Sequence, residues 1–196
     1  IWVAVSIMGG FLFLFTASVS YSTIQIYRVQ GTSMEPTASS GDWVIAQTWS
    51  GSIASLTLKN EPRDENSLDR GDLVIINPQG PDYPAMLKRL VAGPRDTVSM
   101  RGGILYVNNK RQQEPYVRES SDVLRREPPP GSWHLSHHTN SPVLRKYQPT
   151  GANWGPLKVP PERWFVLGDN RDESGDSRRF GFLQAEEIKT IVLYIL

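Results

Sequence analysis

The feature that most constrains this chain is its N-terminal segment, since residues 1–27 contain no Asp, Glu, Lys, Arg or His and residues 1–17 are almost entirely apolar. A helix needs roughly 20 consecutive apolar residues to cross a bilayer, and this segment can supply them. We therefore predict one transmembrane helix over 1–22 as an anchor, followed by a single domain over 23–196. The small residues of Thr16–Ser20 leave open a cleaved signal peptide. A half-buried helix of a soluble domain would show a polar stripe, and there is little of that here.

Composition excludes several classes of protein. The 196 residues are 39% hydrophobic and 21% charged, which is ordinary for a globular domain with a core. Because 21 basic residues face 20 acidic ones, the net charge is only +1 and we expect no nucleic-acid partner. The absence of cysteine excludes disulfides, thiol nucleophiles and Cys-ligated zinc. We expect a monomer that needs no cofactor.

Three histidines are the remaining candidate metal ligands. His134 and His138 have the i,i+4 spacing that binds metal on a helix, and His137 lies between them. Prolines at 128–130 and at 142 argue against a helix there. We therefore expect an exposed loop and no metal site.

Short β-branched and apolar runs punctuated by Gly and Pro predict a mostly β domain. The region 111–161 is rich in Pro, Gly and Ser, and it is too long for a plain loop, so it predicts an inserted subdomain. Residues Ala185–Ile188 suggest a short helix. The predicted strands are Ile24–Val29, Asp42–Trp49, Leu73–Ile76, Ala85–Ala92, Asp96–Met100, Ile104–Val107, Trp164–Leu167 and Ile191–Leu196.

Ser33 lies in a short turn, Gly31–Thr37, between two predicted strands and close to the end of the apolar segment. A serine in a turn is usually only a turn residue. To act as a nucleophile at neutral pH, its hydroxyl needs a base that takes the proton. The histidines are one source of that base, although no local pattern ties them to Ser33.

A buried lysine is the other source of a base. In a strand, alternate side chains share a face, so Lys88 lies with Met86 and Leu90. Apolar surroundings lower the pKa of a lysine and can leave it neutral. Arg89 cannot serve, because guanidinium stays protonated. The alternative is that Lys88 lies on the exposed face of a one-sided sheet.

The loop 168–179 is dense in Asp, Asn and Arg. It does not fit the EF-hand spacing, because Arg171 stands where that pattern needs a ligand. A turn that satisfies its own polar groups fits better, with Asp176 pairing with Arg178 or Arg171. Such a loop could hold a catalytic lysine, with the hydroxyl of Ser174 directed at it.

Four segments resemble, in the same order, the four sequence boxes of the bacterial type I signal peptidases. The last of them is highly specific, and the similarity spans Tyr27 to Phe182 without informing on 111–161. The four segments are Ser33–Thr37, Gly71–Val74, Lys88–Gly93 and Gly168–Arg178.

This resemblance implies a fold, an activity and a location. The fold is a signal-peptidase-like β-sandwich or barrel catalytic domain, preceded by one transmembrane helix. The activity is a membrane-anchored serine endopeptidase that removes N-terminal signal peptides from exported preproteins, cleaving after small residues at the −1 and −3 positions. The location is the inner or plasma membrane, crossed once, with the catalytic domain on the extracytoplasmic side. The implied partners are the preprotein signal peptide and the lipid bilayer.

The resemblance also assigns residues. It implies a Ser/Lys dyad in which Ser33 is the nucleophile and Lys88 the general base. It also implies three kinds of catalytic support. Ser174 would supply a hydroxyl that holds the lysine, and Asp176 and Arg178 would form a structural ion pair. Gly168 and Asp169 would form the wall beside the dyad. The implied pockets for the −1 and −3 residues are lined by Tyr27, Val29, Met34, Val44, Met86 and Leu87.

Two positions depart from the family pattern. Some members carry an oxyanion-donating serine two residues before the nucleophile, where this chain, like other members, has Gly31. The oxyanion hole would then depend mainly on the backbone N–H of Ser33. The family usually has Leu after Pro-Thr, whereas this chain has Ala38. If Ala38 lines the first pocket, we expect residues slightly larger than Ala to be accepted before the cut.

Three other functions compete with this one. The first is a maturation protease of the same superfamily, such as an organellar inner-membrane peptidase, although the Gly-Asp-Asn-Arg-Asp segment favours the bacterial or plastid type. The second is a catalytically silent membrane-anchored domain that binds peptides, against which the intact Ser33 and Lys88 argue. The third is a self-cleaving transcription regulator, which would carry a DNA-binding helix-turn-helix instead of the apolar segment.

Overall fold

The computed structural model describes residues 24–48, 68–78, 80, 84–117, 134, 137–139 and 148–196. The predicted transmembrane helix over 1–22 lies outside these residues, and the predicted subdomain over 111–161 is described only in part. No helix in the described ranges has both the length and the apolar character needed to cross a bilayer.

The described residues form eleven β-strands and very little helix, which confirms the mostly β class. The helical parts are one short α-helix, α1 (Ser177–Phe180), and two 3-10 turns, Arg171–Glu173 and Ala185–Glu187. The strands are β1 (Ile24–Arg28), β2 (Trp43–Thr48), β3 (Leu73–Ile76), β4 (Met86–Ala92), β5 (Thr97–Arg101), β6 (Ile104–Val107), β7 (Lys110–Arg111), β8 (Trp154–Lys158), β9 (Arg163–Leu167), β10 (Leu183–Gln184) and β11 (Ile188–Ile195).

Two antiparallel sheets organise these strands. The larger has the order β1-β2-β11-β3-β4-β9-β10, and the smaller has the order β7-β6-β5-β8. Strand β4 lies between β3 and β9, with Val74 opposite Lys88 and Leu167 opposite Arg89. The sheet order therefore brings the end of β9, and the loop that follows it, beside the lysine strand.

The two sheets share a core that covers β4 and β9 on both faces. Val91 and Phe165 pack with the inner residues of the smaller sheet, such as Val98 and Leu105. Leu90 belongs to a second cluster on the opposite face, together with the inner residues of β3 and β11. Because both faces of β4 are covered, it is not a strand of a one-sided sheet, and Lys88 is only 2% exposed. The alternative of a surface lysine is therefore wrong.

Most predicted strands are found within a residue or two of their expected bounds, and the exceptions have local reasons. Strand β11 begins at Ile188 rather than at residue 191. Strand β8 lies within the region that had been predicted to be an insertion, and it pairs with β5. It contains Gly155 and Pro156, which normally break strands, and so its sequence gave no strand signal.

Candidate active site

Ser33 and Lys88 come together although 55 residues separate them, and the Lys88 Nζ lies 2.8 Å from the Ser33 Oγ. Ser33 is in a tight turn after β1, closed by hydrogen bonds from the Glu35 N–H to the Thr32 carbonyl and from the Ala38 N–H to the Met34 carbonyl. Gly31 precedes the turn with φ of +85°, a conformation that favours glycine. The turn thus presents the Ser33 hydroxyl to Lys88, near the start of β4.

The environment of Lys88 favours its neutral form. Burial lowers the pKa of Lys88 to about 8, while the negative charges of Asp176 and Asp169 act in the opposite direction. Its Nζ also donates to the Leu87 carbonyl at 2.8 Å. A neutral amine held in this way can direct its lone pair at the Ser33 O–H.

The loop after β9 places a buried ion pair behind the dyad. Asp176 accepts hydrogen bonds from the Arg178 guanidinium at 2.8 Å and from the Gly168 N–H at 3.1 Å. The Arg178 Nη2, which also donates to Asp176 at 2.8 Å, donates to the Arg171 carbonyl at 2.7 Å. Burial by itself would raise the pKa of Asp176, but the Arg178 charge and these hydrogen bonds hold it below its usual value. Of the two predicted partners for Asp176, Arg178 is the one it has.

A cavity of about 480 Å³ opens in front of the dyad, between the end of β1, the Ser33 turn and the start of β4. Ser33 and Lys88 lie in its wall, and most of the remaining lining is apolar. All but one of the predicted pocket residues line it: Tyr27, Val29, Met34, Val44, Met86 and Leu87. Further lining residues, which the sequence did not single out, are Gln30, Ile75, Pro84, Ala85 and Gly175. A serine hydroxyl beside a buried lysine thus faces a cleft suited to small apolar side chains.

The family model for signal peptidase, peptidase S26, matches residues 2–195 of the chain. The chain belongs to this family. It is therefore a signal peptidase, a hydrolase of the serine peptidase class. The match covers both halves of the cavity and the loop behind it.

Two relatives, both bacterial signal peptidases, agree with this assignment. Signal peptidase I of Bacillus caldolyticus is 32% identical over 163 residues, which cover 83% of this chain and 73% of that protein. Signal peptidase I V of Bacillus subtilis is 28% identical over 166 residues, covering 85% and 82%. A crystal structure of a signal peptidase I from Enterococcus faecalis aligns with 70% of this chain and all of its own at 26% identity and a TM-score of 0.42.

Gly168 has no room for a side chain in this signal peptidase. A Cβ added there would lie 2.2 Å from the Ser174 Oγ and 2.5 Å from the Ser33 carbonyl oxygen. The glycine lets the loop pack directly against the backbone of the nucleophile. Gly168 therefore contributes only backbone atoms to the wall that was predicted beside Ser33 and Lys88.

The predicted hydrogen bond from Ser174 to Lys88 does not form. The Ser174 Oγ is buried and has no partner in regular hydrogen-bond geometry among the described residues, but it lies close enough to the Asp176 carboxylate to help lower the pKa of that group. The polar contacts of the lysine go to Ser33 and Leu87 instead. The hydroxyl packs against Gly168, and its support of the lysine remains a prediction.

Arg89 has a role that the sequence did not reveal. Its guanidinium binds both carboxylate oxygens of Asp169, at 2.9 and 2.6 Å, and donates to the Gly71 carbonyl at 2.9 Å. The Tyr116 ring covers the guanidinium with its centroid 3.8 Å away. The Thr37 hydroxyl donates to Asp169 at 2.5 Å. Arg89, the residue next to Lys88, thus joins the serine turn, β4 and the loop after β9.

A second ion pair ties the same loop to residues near the start of the predicted insertion. Arg171 pairs with Glu114 at 2.5 Å, and both side chains are less than a tenth exposed. No motif marks Glu114, because its partner lies 57 residues further along the chain. Only its charge could have suggested a pair.

Ala38 does not line the cavity, so the prediction that it shapes the first pocket is wrong for this structure. The residue is completely buried, and the lining residues do not include it. Its N–H donates to the Met34 carbonyl and so closes the Ser33 turn. Small size at this position serves the packing of the turn.

The structure is helical at His137, and His134 also differs from the exposed loop of the prediction, because its backbone is helical and its side chain is buried. It is 1% exposed, and burial lowers its pKa to about 4. Its ring meets Trp154 edge-on, with centroids 6.2 Å apart. The described residues contain no group of His, Asp and Glu side chains that could hold a metal ion.

Proposed function

We propose that this signal peptidase cleaves preproteins with Ser33 as the nucleophile and Lys88 as the general base. The observation that carries the proposal is the 2.8 Å contact between the Ser33 Oγ and the Nζ of a lysine whose pKa burial lowers to about 8. A lysine with this pKa has a far larger neutral fraction near neutral pH than an ordinary lysine, and it keeps useful basicity. No other described lysine contacts a serine hydroxyl.

The reaction uses the dyad twice. Neutral Lys88 takes the Ser33 hydroxyl proton while Oγ attacks the scissile carbonyl carbon, and the carbonyl oxygen becomes an oxyanion. The protonated amine then gives its proton to the leaving nitrogen, the C–N bond breaks, and the signal peptide stays as an ester on Ser33. Water, deprotonated by Lys88, then attacks this ester. The bond between the carbonyl carbon and Oγ breaks, Oγ takes the proton back from Lys88, and the signal peptide leaves as a free carboxylic acid that ionises.

The cavity supports selection of small residues at −1 and −3. Strand β1 is an edge strand, paired only with β2 among the described strands. An extended substrate lying along this edge can form main-chain hydrogen bonds with it. Alternate side chains of an extended peptide point the same way, so −1 and −3 would enter the cavity together. Val29 and Leu87 line that side.

We further propose that the enzyme is anchored by one helix over 1–22, with its catalytic domain on the extracytoplasmic side. Strand β1, which follows this segment, leaves Ile24 and Ile26 exposed by 56% and 65%. On neighbouring strands Trp43 and Tyr194 are exposed by 50% and 66%. The same strand carries Tyr27, and Val29 directly after it, in the lining of the cavity, so a bilayer surface that covers the exposed face would bring the end of a signal peptide close to Ser33.

Cleavage of a preprotein in detergent tests the dyad. Ser33→Ala and Lys88→Met should each abolish cleavage, whereas the surface controls Ser40→Ala and Lys110→Met should keep wild-type rates. Circular dichroism and thermal melting would show whether the inactive variants stay folded. Near-full activity of either dyad variant would disprove the assignment.

The pH profile tests the base independently. Because the base must be neutral, kcat/KM should fall as pH drops below an apparent pKa of about 8, by roughly tenfold per pH unit. The profile should not change in Lys110→Met. Activity that stays constant down to pH 5 would exclude Lys88 as the base.

A further inference from the structure

Asn170 holds the nucleophile from the loop side. Its side-chain Nδ2 donates to the Thr32 carbonyl at 3.1 Å, and its backbone N–H donates to the Ser33 carbonyl, also at 3.1 Å. The residue is 5% exposed and directly follows Asp169. Two consecutive carbonyls on either side of the nucleophile are thus fixed by one residue.

The first of these hydrogen bonds sets the direction of a catalytic donor. A peptide group is planar and trans, so its C=O and N–H point in opposite directions. The Thr32 carbonyl and the Ser33 N–H belong to the same peptide group. Fixing the oxygen with Asn170 therefore fixes the direction of the N–H, which donates no hydrogen bond to any described residue.

Other contacts make the clamp rigid. The Thr32 hydroxyl donates to the Glu173 carboxylate at 2.6 Å, and the Glu173 N–H donates to the Asn170 carbonyl at 3.2 Å. These contacts join the residue before the nucleophile to the same 3-10 turn that follows Asn170. Gly31 on the other side offers no side chain to steady the peptide. The Thr32 carbonyl also accepts a hydrogen bond from the Glu35 N–H at 3.1 Å, so the turn and the loop together set the orientation of the Ser33 N–H.

We propose that Asn170 is a positioning residue for the oxyanion hole. Its Nδ2 holds the Thr32 carbonyl so that the N–H of Ser33 points at the negative charge that develops on the substrate. This inference rests on the proposed function of Ser33 and Lys88. Asn170 neither touches the substrate nor exchanges a proton. It matters because the hole lacks a side-chain donor at Gly31, which leaves the Ser33 N–H as its main donor.

The expected effect follows from the cost of weakening that donor. Loss of a whole oxyanion donor costs about 10²–10³ in kcat. Misaiming the donor should cost less, so Asn170→Ala should lower kcat by roughly 10–100-fold. KM should stay within about twofold, because substrate side chains bind in a cavity that Asn170 does not line. The apparent pKa of Lys88 should not move in this uncharged variant.

The experiment compares Asn170→Ala, Asn170→Asp and the surface control Asn109→Asp in the full-length enzyme. Asn170→Asp keeps the shape and the backbone N–H but loses the Nδ2 donor, so it remains informative if the alanine variant fails to fold. Because the aspartate adds a charge near Lys88, its kcat is taken on the high-pH plateau. Both Asn170 variants should lower kcat, and the control should not.

A pair of inhibitors separates positioning of the oxyanion hole from a merely structural role. A peptidyl trifluoromethyl ketone adds the Ser33 Oγ to its carbonyl and places an oxyanion in the hole, with the serine proton passing to Lys88. The matching alcohol binds the same pockets without an oxyanion. Affinity for the ketone should fall in step with kcat, while affinity for the alcohol stays unchanged.

Three results would each overturn the proposal. The Asn170 variants could lose affinity equally for both inhibitors, they could show a raised KM with unchanged kcat, or they could keep wild-type kinetics. None of these results would affect the dyad itself. Activity retained in Ser33→Ala would instead overturn the proposed function. The two failures are therefore distinguishable.

Discussion

Lys88 lies between two walls of opposite character. On the cavity side, side chains such as Val29, Val44 and Leu87 present an apolar surface. On the loop side, Asp176 and Asp169 lie close enough to raise the pKa of the lysine, and each carboxylate is held by an arginine. Burial wins over these charges, so the pKa falls below its usual value but stays near 8.

The difference between the walls predicts how each responds to mutation. An apolar surface can lose or gain a methylene at moderate cost, and the change alters which substrates fit. A buried ion pair cannot lose one partner cheaply, because the remaining charge is left without compensation. The loop wall should therefore control stability and geometry, and the cavity wall should control selectivity.

The largest effect is expected at the loop wall, from Asp176→Ala. This variant leaves Arg178 charged and only 4% exposed, which should lower the free energy of unfolding by about 3–5 kcal/mol. Urea unfolding at pH 7 measures the loss, with the exposed Glu186→Ala as a control that should stay within about 0.5 kcal/mol. A loss below about 1 kcal/mol would show that the pair is dispensable.

The ion pair of Asp176 and Arg178 also predicts in which direction the free energy of unfolding changes with pH. The pKa of Asp176 lies below its usual value of 3.8, because Arg178 outweighs the opposing effect of burial. Its stabilising contribution is therefore complete above that usual value and is lost as pH falls through the lower folded-state pKa. Acid unfolding of the wild type should be steeper than that of Asp176→Ala. Equal slopes would contradict this.

The next effect is expected at Gly168, where the loop wall touches the nucleophile. In Gly168→Ala the new methyl group would meet the Ser174 hydroxyl and the Ser33 carbonyl, so overpacking should cost about 1–3 kcal/mol of stability. Displacement of Ser33 by about 1 Å can cost roughly 10²-fold in kcat. The control is Gly93→Ala, whose Cβ meets only the Asp96 carboxylate at 3.9 Å. Unchanged kcat in Gly168→Ala would contradict the tight packing.

A smaller effect is expected at the cavity wall. Leu87→Ala should enlarge the cavity and raise kcat/KM for Val relative to Ala before the cut by about tenfold, since methylene-sized differences are worth about 10–200-fold. Competition between two preproteins measures this ratio independently of the fraction of folded enzyme. An unchanged ratio would show that Leu87 does not contact the −1 or −3 residue.

The smallest effect on selectivity is expected from Ala38→Leu. Because Ala38 is completely buried outside the cavity, discrimination among Ala, Ser and Val before the cut should match the wild type. Overpacking should lower stability by about 1–3 kcal/mol instead. A shift in discrimination toward Ala would restore the earlier prediction that this position shapes the pocket.

Local patterns in the sequence determined most of the strands and, through the four motifs, the family to which the chain belongs. Alternation along Met86–Ala92 placed Met86, Lys88 and Leu90 on one face, because the period of a strand is a local property. Six of the seven predicted pocket residues line the cavity; the resemblance to the family assigned them, and they lie in the serine turn or on or next to β1, β2 and β4.

The tertiary structure alone decided which charges meet and which small residues are buried. Arg89 pairs with Asp169 across 80 residues because β9 lies next to β4, and Glu114 meets Arg171 across 57. Sequence spacing does not encode such contacts, since they depend on the order of strands in the sheet. Packing also removed Ala38 from the cavity and buried His134. The sequence determined the family, and the fold decided how Ser33 and Lys88 are held beside the cavity.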